Sequence, residues 1–367
     1  MHPLLQIDLS VSSYKYGILA FVTAFVVTMI VMPPLIKIIN RFRFFDVPDL
    51  RKEHSTPIPT MGGIASCFGM AAGCLLWFQF SRDSFSVSFF FSVGVLFAIG
   101  VMDDLKNLSA RYKLGIQIAV SFLIAFSGVR ITSFGGLFGI HELSVSAQYS
   151  FTVLALTGIT NAFNLIDGID GLAGGLGFMS LVILGLFLTL SGDTNNAIIA
   201  FALGGGLLGF LYYNFNPAKI FMGDTGSLVL GFVVAVLCIR LIQLNTGVAE
   251  PVLPQAPVFV LSIVALPVFD TIRVFALRIW RGDSPFSPDK NHIHHLLTNN
   301  GWSHGMAAKL LCGVHALVLI IGYFLKNIPQ IAGVLILTAM MFVTVFVFQR
   351  MKAPQPGKRI KVSAAKN

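Results

Sequence analysis

The chain has 367 residues, of which 55% are hydrophobic and 11% charged, and its mean hydropathy is +0.81. Soluble domains carry about 25% charged residues, so this composition excludes a soluble globular protein and indicates a polytopic membrane protein. Basic loops at a membrane surface account for the net charge of +9, and we expect no nucleic-acid partner. The four cysteines lie in apolar stretches without paired spacing, which predicts packing roles.

The first apolar run is longer than the core of a signal peptide, lacks a basic leader and precedes Arg41 and Arg43. We interpret it as a retained membrane anchor with the N-terminus outside. With it, about eleven segments have the length that a bilayer crossing needs. The predicted spans are residues 16–39, 61–80, 86–102, 114–128, 148–166, 171–190, 197–215, 226–245, 256–280, 308–326 and 331–349.

The loops between these spans differ in charge. The outer loops carry only Lys15, Arg82, Arg130 and Lys326, whereas the inner loops and the tail carry most other basic residues. This asymmetry follows the positive-inside rule, and an odd number of spans places the C-terminus in the cytoplasm. We predict one transmembrane domain over residues 1–350 and a basic, disordered tail over residues 351–367.

Acidic residues collect at the inner ends of the spans. Asp103 and Asp104 end the third span, Asp167 and Asp170 follow the fifth, and Asp224 precedes the eighth. Taken singly, each pattern also fits a solvated loop, a glycine-rich turn or a helix cap. Their shared face favours a site, because converging carboxylates raise each other's pKa unless a cation neutralises them. Magnesium beside Lys and Arg side chains is typical of phosphoryl transfer.

The longest inner loop, residues 281–305, holds three histidines near an acidic residue: His292, His294, His295 and Asp289. Three interpretations stay open, namely a loop that contacts substrate, a solvated loop and a zinc site. Asp270 and Arg273, inside the ninth span, fit either a site role or a buried structural pair.

Glycine pairs recur along the chain. The pair in the stretch PIPTMGG predicts a tight turn into the second span. The glycines at positions 174–175 and 204–206 predict close packing between helices rather than phosphate-binding loops.

Five stretches together carry a family resemblance: VPDLRKEHSTPIPTMGG, DDLKNLSARYK, NAFNLIDGIDGLAGG, FMGDTGS and SPFSPDKNHIHHLL. In this order they resemble the polyprenyl-phosphate N-acetylhexosamine-1-phosphate transferases of bacterial envelope synthesis, glycosyltransferase family 4. The resemblance implies an all-α enzyme of the bacterial cytoplasmic (inner) membrane with its active site on the cytoplasmic face. It implies transfer of a sugar 1-phosphate from a UDP-N-acetylhexosamine to undecaprenyl phosphate, with release of UMP. It also implies a requirement for Mg²⁺, with Mn²⁺ as a substitute.

Within the family, HIHHLL, the lead-in SPFSPD and the eleventh span resemble one branch. That branch transfers N-acetylglucosamine 1-phosphate for O-antigen, enterobacterial common antigen or teichoic acid linkage units. The muramoyl-pentapeptide branch instead carries three consecutive histidines and usually ten spans. We therefore expect UDP-N-acetylglucosamine as donor; another UDP-N-acetylhexosamine and a homodimer stay open. The alternative from another class is a cation- or proton-coupled transporter, whose acids should lie near the bilayer midplane.

The resemblance implies roles for individual residues. Asp103 is expected to be the base that assists the acceptor phosphate, and Asp104 to position it or lie near the metal. Asp224 is expected to bind Mg²⁺, with Asn164 as a second oxygen ligand. Direct attack and a covalent aspartyl intermediate both stay open. The expected substrate-binding residues are Asp167, Asp170, Asn214 and Phe221 at the nucleoside, Lys113, Arg111 and Lys52 as cations, and His292, His294 and His295 at the diphosphate or sugar.

Overall fold

The computed structural model describes residues 11–42, 45–46, 58–284 and 291–353, most of them in helices. The helices are α1 (Val11–Phe42), α2 (Gly63–Trp77), α3 (Ser84–Lys106), α4 (Ala110–Phe126), α5 (Val145–Ile166), α6 (Leu172–Leu190), α7 (Thr194–Asn214), α8 (Gly223–Asn245), α9 (Ala256–Trp280), α10 (Ile293–Thr298), α11 (His304–Phe324) and α12 (Gln330–Arg350). Two short strands, β1 (Phe45–Asp46) and β2 (Ile58–Pro59), pair antiparallel, with Phe45 opposite Pro59.

Each predicted span coincides with one of these helices, which confirms a polytopic all-α membrane protein. In the described part of the chain, nine helices are long and apolar enough to cross a membrane. The helices α2 and α4 have 15 and 17 residues, which at 1.5 Å per residue gives lengths of about 22 and 26 Å, short of a hydrocarbon core of about 30 Å. The count of about eleven crossings and the orientation therefore stay predictions. Most of the predicted basic tail lies outside the described residues.

The helix α8 forms the centre of the bundle. Its sequence is apolar on every face, a pattern typical of a helix that is buried all round, and every residue from Thr225 to Ile239 is buried. It packs against α2, α3, α5, α6 and α9. The first turn of α8 therefore lies where several helix ends converge.

Glycines bring two neighbours unusually close to that first turn. A Cβ added at Gly100 of α3 would lie 2.4 Å from the Cα of Thr225, and one at Gly63 of α2 would lie 2.2 Å from the Cα of Gly226. Real Cβ atoms do not approach so closely, so only glycine permits this packing. The ends of α2 and α3 are thereby fixed against the start of α8.

Other glycine predictions have mixed outcomes. Close packing is confirmed for the 204–206 group, since a Cβ at Gly205 would lie 2.1 Å from the carbonyl oxygen of Phe21. The prediction that the glycine pair of PIPTMGG makes a tight turn is wrong, because Gly62 has an ordinary helical φ of −61°. The left-handed residue there is Met61, with a φ of 74°. Gly62 and its neighbour serve helix packing instead.

All four cysteines are free thiols.

The bundle has two ends that differ in chemistry. We call the carboxylate end the one where α3 and α5 end and α8 begins, with Asp103, Asp167 and Asp224 nearby. We call the opposite end the one where α3 and α7 begin and α8 ends, with Asp83 and Asp193 nearby.

Candidate active site

A single ammonium joins two of the predicted site carboxylates at the carboxylate end. The Nζ of Lys113 lies 2.6 Å from Asp103 Oδ2 and 2.5 Å from Asp224 Oδ2. The connection between α3 and α4 produces this arrangement, because Asp103 Oδ1 accepts a hydrogen bond from the Leu108 N–H at 2.6 Å and Ser109 caps α4. The stretch DDLKNLSARYK is therefore a helix end, a tight connection and a helix start. It brings Lys113 back over Asp103.

Asp104 is engaged by the start of α8. Its Oδ1 accepts a hydrogen bond from the Asp224 N–H at 2.8 Å. Its Oδ2 accepts from the N–H and the hydroxyl of Thr225 at 3.1 and 2.5 Å. A carboxylate at a helix N-terminus satisfies backbone donors that have no intrahelical partner. Asp104 thus fixes the backbone that carries Asp224, and the role expected for it beside Asp103 or the metal stays a prediction.

Asn164, in the last turn of α5, contacts the same aspartate. Its side-chain amide donates to Asp224 Oδ1 at 3.0 Å and to the Ser227 hydroxyl at 2.9 Å. Both bonds use the nitrogen of the amide, so the oxygen is left as the atom that can ligate a cation. The pairing of Asn164 with Asp224 expected from the resemblance is thus present in the structure, although its metal role is untested.

Asp167 follows the last residue of α5 and is half-buried. It makes no hydrogen bond to another described residue. Burial, followed by the nearby charges of Asp224 and Asp104, raises the pKa of its carboxyl to about 8. A carboxyl group in this state is ready to bind a cation or a hydrogen-bond donor of a substrate.

Asp170 and Asn214 hold a connecting segment in place. Asp170 Oδ2 accepts hydrogen bonds from the Asn216 amide and the Ala218 N–H, both at 3.1 Å, and its Oδ1 lies 3.5 Å from His304 Nδ1. Asn214 accepts from the N–H of residue 171 at 2.9 Å and donates to the carbonyl of residue 220 at 2.8 Å. These contacts tie residues 215–220 to the turn between α5 and α6. The substrate-binding role expected for both residues stays a prediction.

The remaining expected residues occupy different surroundings. Phe221 is half-buried, and its N–H donates to the Pro59 carbonyl at 2.8 Å while its carbonyl accepts from the Gly62 N–H. Arg111 is exposed two residues before Lys113 in α4 and has no side-chain hydrogen bond to another described residue. Lys52 lies outside the described residues.

The histidine segment packs against α9 and the α5–α6 turn. His292 Nδ1 lies 2.8 Å from Asp270 Oδ2, and the rings of His294 and His295 lie 4.3 Å apart. His294 is buried beside Gly168, since a Cβ there would lie 2.3 Å from its Nε2. Burial and the neighbouring His295 lower the pKa of His294 to about 3.

A cavity of about 620 Å³ joins these groups. Lys113, Asn164 and His292 line it near the carboxylate end, and its lower part, by which we mean the part at Leu154, extends between α4, α5 and α9 to that exposed side chain. The full lining is Ala110, Lys113, Leu114, Gln117, Leu154, Thr157, Gly158, Asn161, Asn164, Leu165, Gly168, Thr271, Phe275, Arg278, His292, His294 and His295. The lining thus combines charged and polar side chains with apolar ones.

Sequence reasoning missed the polar side chains inside this cavity. Gln117 is buried and accepts a hydrogen bond from the Asn161 amide at 2.5 Å, and Ser121 lies 3.3 Å from Thr157. The signal was present as spacing: Lys113, Gln117 and Ser121 follow one another every four residues, which places them on one helix face. Polar residues at that spacing inside an apolar segment mark a face that avoids lipid.

The donor set at the carboxylate end fits Mg²⁺. In the described part of the chain, Asp103 and Asp224 share the ammonium of Lys113, and two further carboxyl groups, Asp104 and Asp167, lie near Asp224. Magnesium binds through one or two carboxylates plus substrate phosphates, and it keeps several waters. Accordingly, no three His, Cys, Asp or Glu side chains of the described residues form a closed metal site. The zinc interpretation of the histidine loop gains no support from them, and Asp289 lies outside them.

Comparison with known proteins gives consistent matches. The family model "Glycosyl transferase family 4" matches residues 86–242. A probable undecaprenyl-phosphate N-acetylglucosaminyl 1-phosphate transferase of Bacillus subtilis is 32% identical over 90% of this chain and 87% of its own length. An undecaprenyl-phosphate α-N-acetylglucosaminyl 1-phosphate transferase of Escherichia coli O157:H7 is 32% identical over 90% of this chain and 91% of its own. The protein of that name from Yersinia pestis is 33% identical over 78% of each chain.

Proposed function

The chain belongs to glycosyl transferase family 4, and we infer that it transfers N-acetylglucosamine 1-phosphate from UDP-N-acetylglucosamine to undecaprenyl phosphate. The products are undecaprenyl-diphospho-N-acetylglucosamine and UMP. The observation that carries this inference is the match to transferases of that name over nine-tenths of the chain. The multi-pass helices support a bilayer location for the enzyme, where a lipid acceptor would also lie. We further propose the bacterial inner membrane, with the carboxylate end on the cytoplasmic side.

The bond changes are those of a phosphoryl transfer. In direct displacement, an oxygen of the acceptor phosphate forms a bond to the β-phosphorus of the donor. The bond from that phosphorus to the bridging oxygen breaks, and UMP leaves with the electron pair. A proton on the acceptor phosphate, whose second pKa is about 6, would pass to Asp103. A covalent intermediate on an aspartate is equally compatible with the residues present.

Asp224 and the amide oxygen of Asn164 would hold Mg²⁺ together with the donor diphosphate, since Asn164 already contacts Asp224 at 3.0 Å. When bound, the metal neutralises charge on the phosphoryl oxygens. Lys113, which bridges Asp103 and Asp224, is the residue able to exchange one carboxylate for a phosphate oxygen. We propose that Asp104 acts by fixing the start of α8 rather than by touching substrate.

The nucleoside would lie beside the α5–α6 turn. Asp167 offers a carboxyl without a described hydrogen-bond partner, and it could accept from a ribose hydroxyl or the uracil N–H. The side chain of Asp170 is hydrogen-bonded within the segment 215–220, and that of Asn214 is hydrogen-bonded to residue 171 and to the same segment. We propose that these two act by placing Phe221, the aromatic ring expected to stack on uracil.

The acceptor would enter from the lipid through the lower part of the cavity. Leu154 on α5 is 66% exposed and lies at its rim. Polar contacts across the cavity wall, such as Gln117 with Asn161, keep α4 and α5 together there without filling the space. The transporter alternative is disfavoured, because the carboxylates lie at helix ends instead of the middle of broken helices.

One assay tests the proposed function. The purified protein is incubated with undecaprenyl phosphate, labelled UDP-N-acetylglucosamine and Mg²⁺, and lipid and water-soluble products are separated. We expect a labelled lipid and one UMP per lipid formed, with Mn²⁺ able to replace Mg²⁺. Other UDP-N-acetylhexosamines are compared in parallel, because the choice of sugar is the finer part of the proposal. If no UDP-sugar yields a lipid product, the proposed function is wrong.

A further inference from the structure

Asp270 lies in the second half of α9 and is 1% exposed. Its Oδ1 accepts hydrogen bonds from Arg273 Nη2 at 2.7 Å and from the Ile293 N–H at 2.9 Å. Its Oδ2 lies 2.8 Å from His292 Nδ1. The same Nη2 of Arg273 also donates to the carbonyl of Asn291. One buried carboxylate and one guanidinium thus hold three consecutive residues at the start of α10.

These contacts determine which nitrogen of His292 is available. An ionised carboxylate only accepts hydrogen bonds, so the Nδ1 of His292 must carry the hydrogen between them. The other ring nitrogen, Nε2, makes no hydrogen bond to another described residue, and His292 lines the cavity. The imidazole is therefore fixed in orientation, and Nε2 is its functional nitrogen. A carboxylate that holds Nδ1 fixes the tautomer and the orientation of the ring, so that Nε2 can bind a ligand.

The anchored ring lines the cavity beside a second histidine. Its neighbour His294 is stacked parallel to it, with ring centroids 5.8 Å apart and an interplanar angle of 5°. His294 in turn rests on Gly168, next to Asp167 in the α5–α6 turn. The histidine segment is consequently joined both to α9 and to the turn that we assign to the donor nucleoside.

We propose that Asp270 is a positioning residue for donor binding: with Arg273 it fixes His292 so that Nε2 meets the diphosphate or sugar of the donor. The proposal rests on the proposed function and adds a residue to which that function gives no role. A buried Asp–Arg pair alone would be equally compatible with simple packing. The contacts to His292 and Ile293 distinguish the two, because a packing pair has no need to select a ring nitrogen.

Two variants of His292 distinguish the bond between Nδ1 and Asp270 from the contribution of Nε2. In His292→Asn the side-chain amide nitrogen takes the place of Nδ1, so the bond to Asp270 is kept and Nε2 is lost. In His292→Gln an amide reaches the place of Nε2, whereas the bond to Asp270 is lost. We expect His292→Asn to keep the thermal midpoint of the parent and to raise the KM for UDP-N-acetylglucosamine by about tenfold, the loss of one hydrogen bond to a charged group.

Asp270→Asn tests the positioning residue itself. Removing the charge frees the ring of His292, so we expect the donor KM to rise by about tenfold while the KM for undecaprenyl phosphate stays unchanged. The matched control is Asp193→Asn, which removes a second, partly buried carboxylate from an arginine, Arg240, at the opposite end of the bundle. The control should leave both KM values unchanged.

The outcomes are distinct. A purely structural Asp270 would lower the amount of folded enzyme, and hence the apparent kcat, with both KM values unchanged; that result overturns the proposal. A folded His292→Asn variant whose donor KM equals that of the parent also overturns the proposal. If Asp270→Asn does not fold, His292→Asn alone decides. An inactive parent protein would instead refute the proposed function, and binding of UDP-N-acetylglucosamine measured by calorimetry would still report on the role of Asp270.

Discussion

Asp193 at the opposite end and Asp167 at the carboxylate end are both acidic residues beside helix termini, and they differ in their partners. Asp193 caps α7, accepting from the N–H and the amide of Asn196 at 3.2 and 2.9 Å and from Arg240 Nε at 2.7 Å. Asp167 has no described hydrogen-bond partner and lies near two further carboxylates. The carboxylate of Asp193 is thus engaged in structural hydrogen bonds, whereas that of Asp167 is available to a ligand.

The pKa values of the carboxyl groups also differ between the two ends of the bundle. Hydrogen bonds from the Ser81 hydroxyl and the Ser86 N–H lower the pKa of Asp83, the cap of α3 at the opposite end. Burial and like charges raise the pKa of Asp167 to about 8. Folding thus stabilises the charged form of one carboxylate and disfavours that of the other. Asp83 thus serves as a helix cap in its charged form, whereas the carboxyl of Asp167 is left for a ligand.

The largest expected effect comes from Asp103→Asn. The substitution removes the carboxylate that would accept the proton of the acceptor phosphate, and we expect kcat to fall by about 1000-fold. Binding of UDP-N-acetylglucosamine, followed by calorimetry, should persist, because the donor contacts lie elsewhere. Turnover within tenfold of the parent would remove Asp103 from the chemistry.

Asp224→Asn should act through the metal. We expect the Mg²⁺ concentration for half-maximal activity to rise by about tenfold or more, because a neutral amide replaces the charged ligand. The measurement is activity against Mg²⁺ concentration at saturating substrates. An unchanged Mg²⁺ dependence would place the metal at another residue.

Packing between α3 and α8 is tested by Gly100→Ala. The added methyl would lie 2.4 Å from the Cα of Thr225, so α3 must move and carry Asp103 with it; overpacking of this kind costs about 1–3 kcal/mol. We expect activity to fall by about tenfold and the thermal midpoint to drop by several degrees. The control is Gly94→Ala in the same helix, where nothing lies within 4 Å; it should retain full activity.

Asp193→Asn should affect stability without affecting catalysis. Asn is also a good N-cap, so the variant loses the ion pair to the half-exposed Arg240 and keeps the cap. We expect a loss of about 1 kcal/mol, seen as a midpoint lower by about 3 °C, with unchanged kinetic constants. A change in either KM would link the two ends of the bundle.

The smallest effect is expected for Asp167→Asn, in thermal unfolding without divalent ions. The folded-state pKa of Asp167, about 8, lies above the ordinary Asp value of about 3.9. The wild-type protein therefore loses stability as the pH rises from about 4 to 8, because the carboxyl ionises in the unfolded chain and stays protonated in the folded one. Asn cannot ionise, so the variant should match the wild type near pH 4 and exceed it by about 2 °C at pH 8. Parallel pH curves would contradict the raised pKa.

Much of the local architecture was predictable from residue patterns. The run Ala256–Trp280 was expected as a span and is α9, because a long apolar stretch in lipid must satisfy its backbone within a helix. The break between Ile166 and Leu172 was likewise expected from the glycines and carboxylates there. The role of Gly62 was not, since a glycine pair serves a turn or a helix contact equally well and only the neighbouring helix decides.

Composition, spacing and motif order by themselves determined that this is a polytopic helical protein and which acidic residues gather at one end. Tertiary structure alone decided how those residues are used. Lys113 and Asp224 are 111 positions apart, and their contact exists because glycine lets α3 approach the first turn of α8. Asp104 accepts hydrogen bonds from the start of α8, Asp167 has no side-chain hydrogen bond to the rest of the described chain, and Asp270 contacts His292. Hydrogen bonds form between whichever groups packing brings within about 3 Å, and local sequence does not record that.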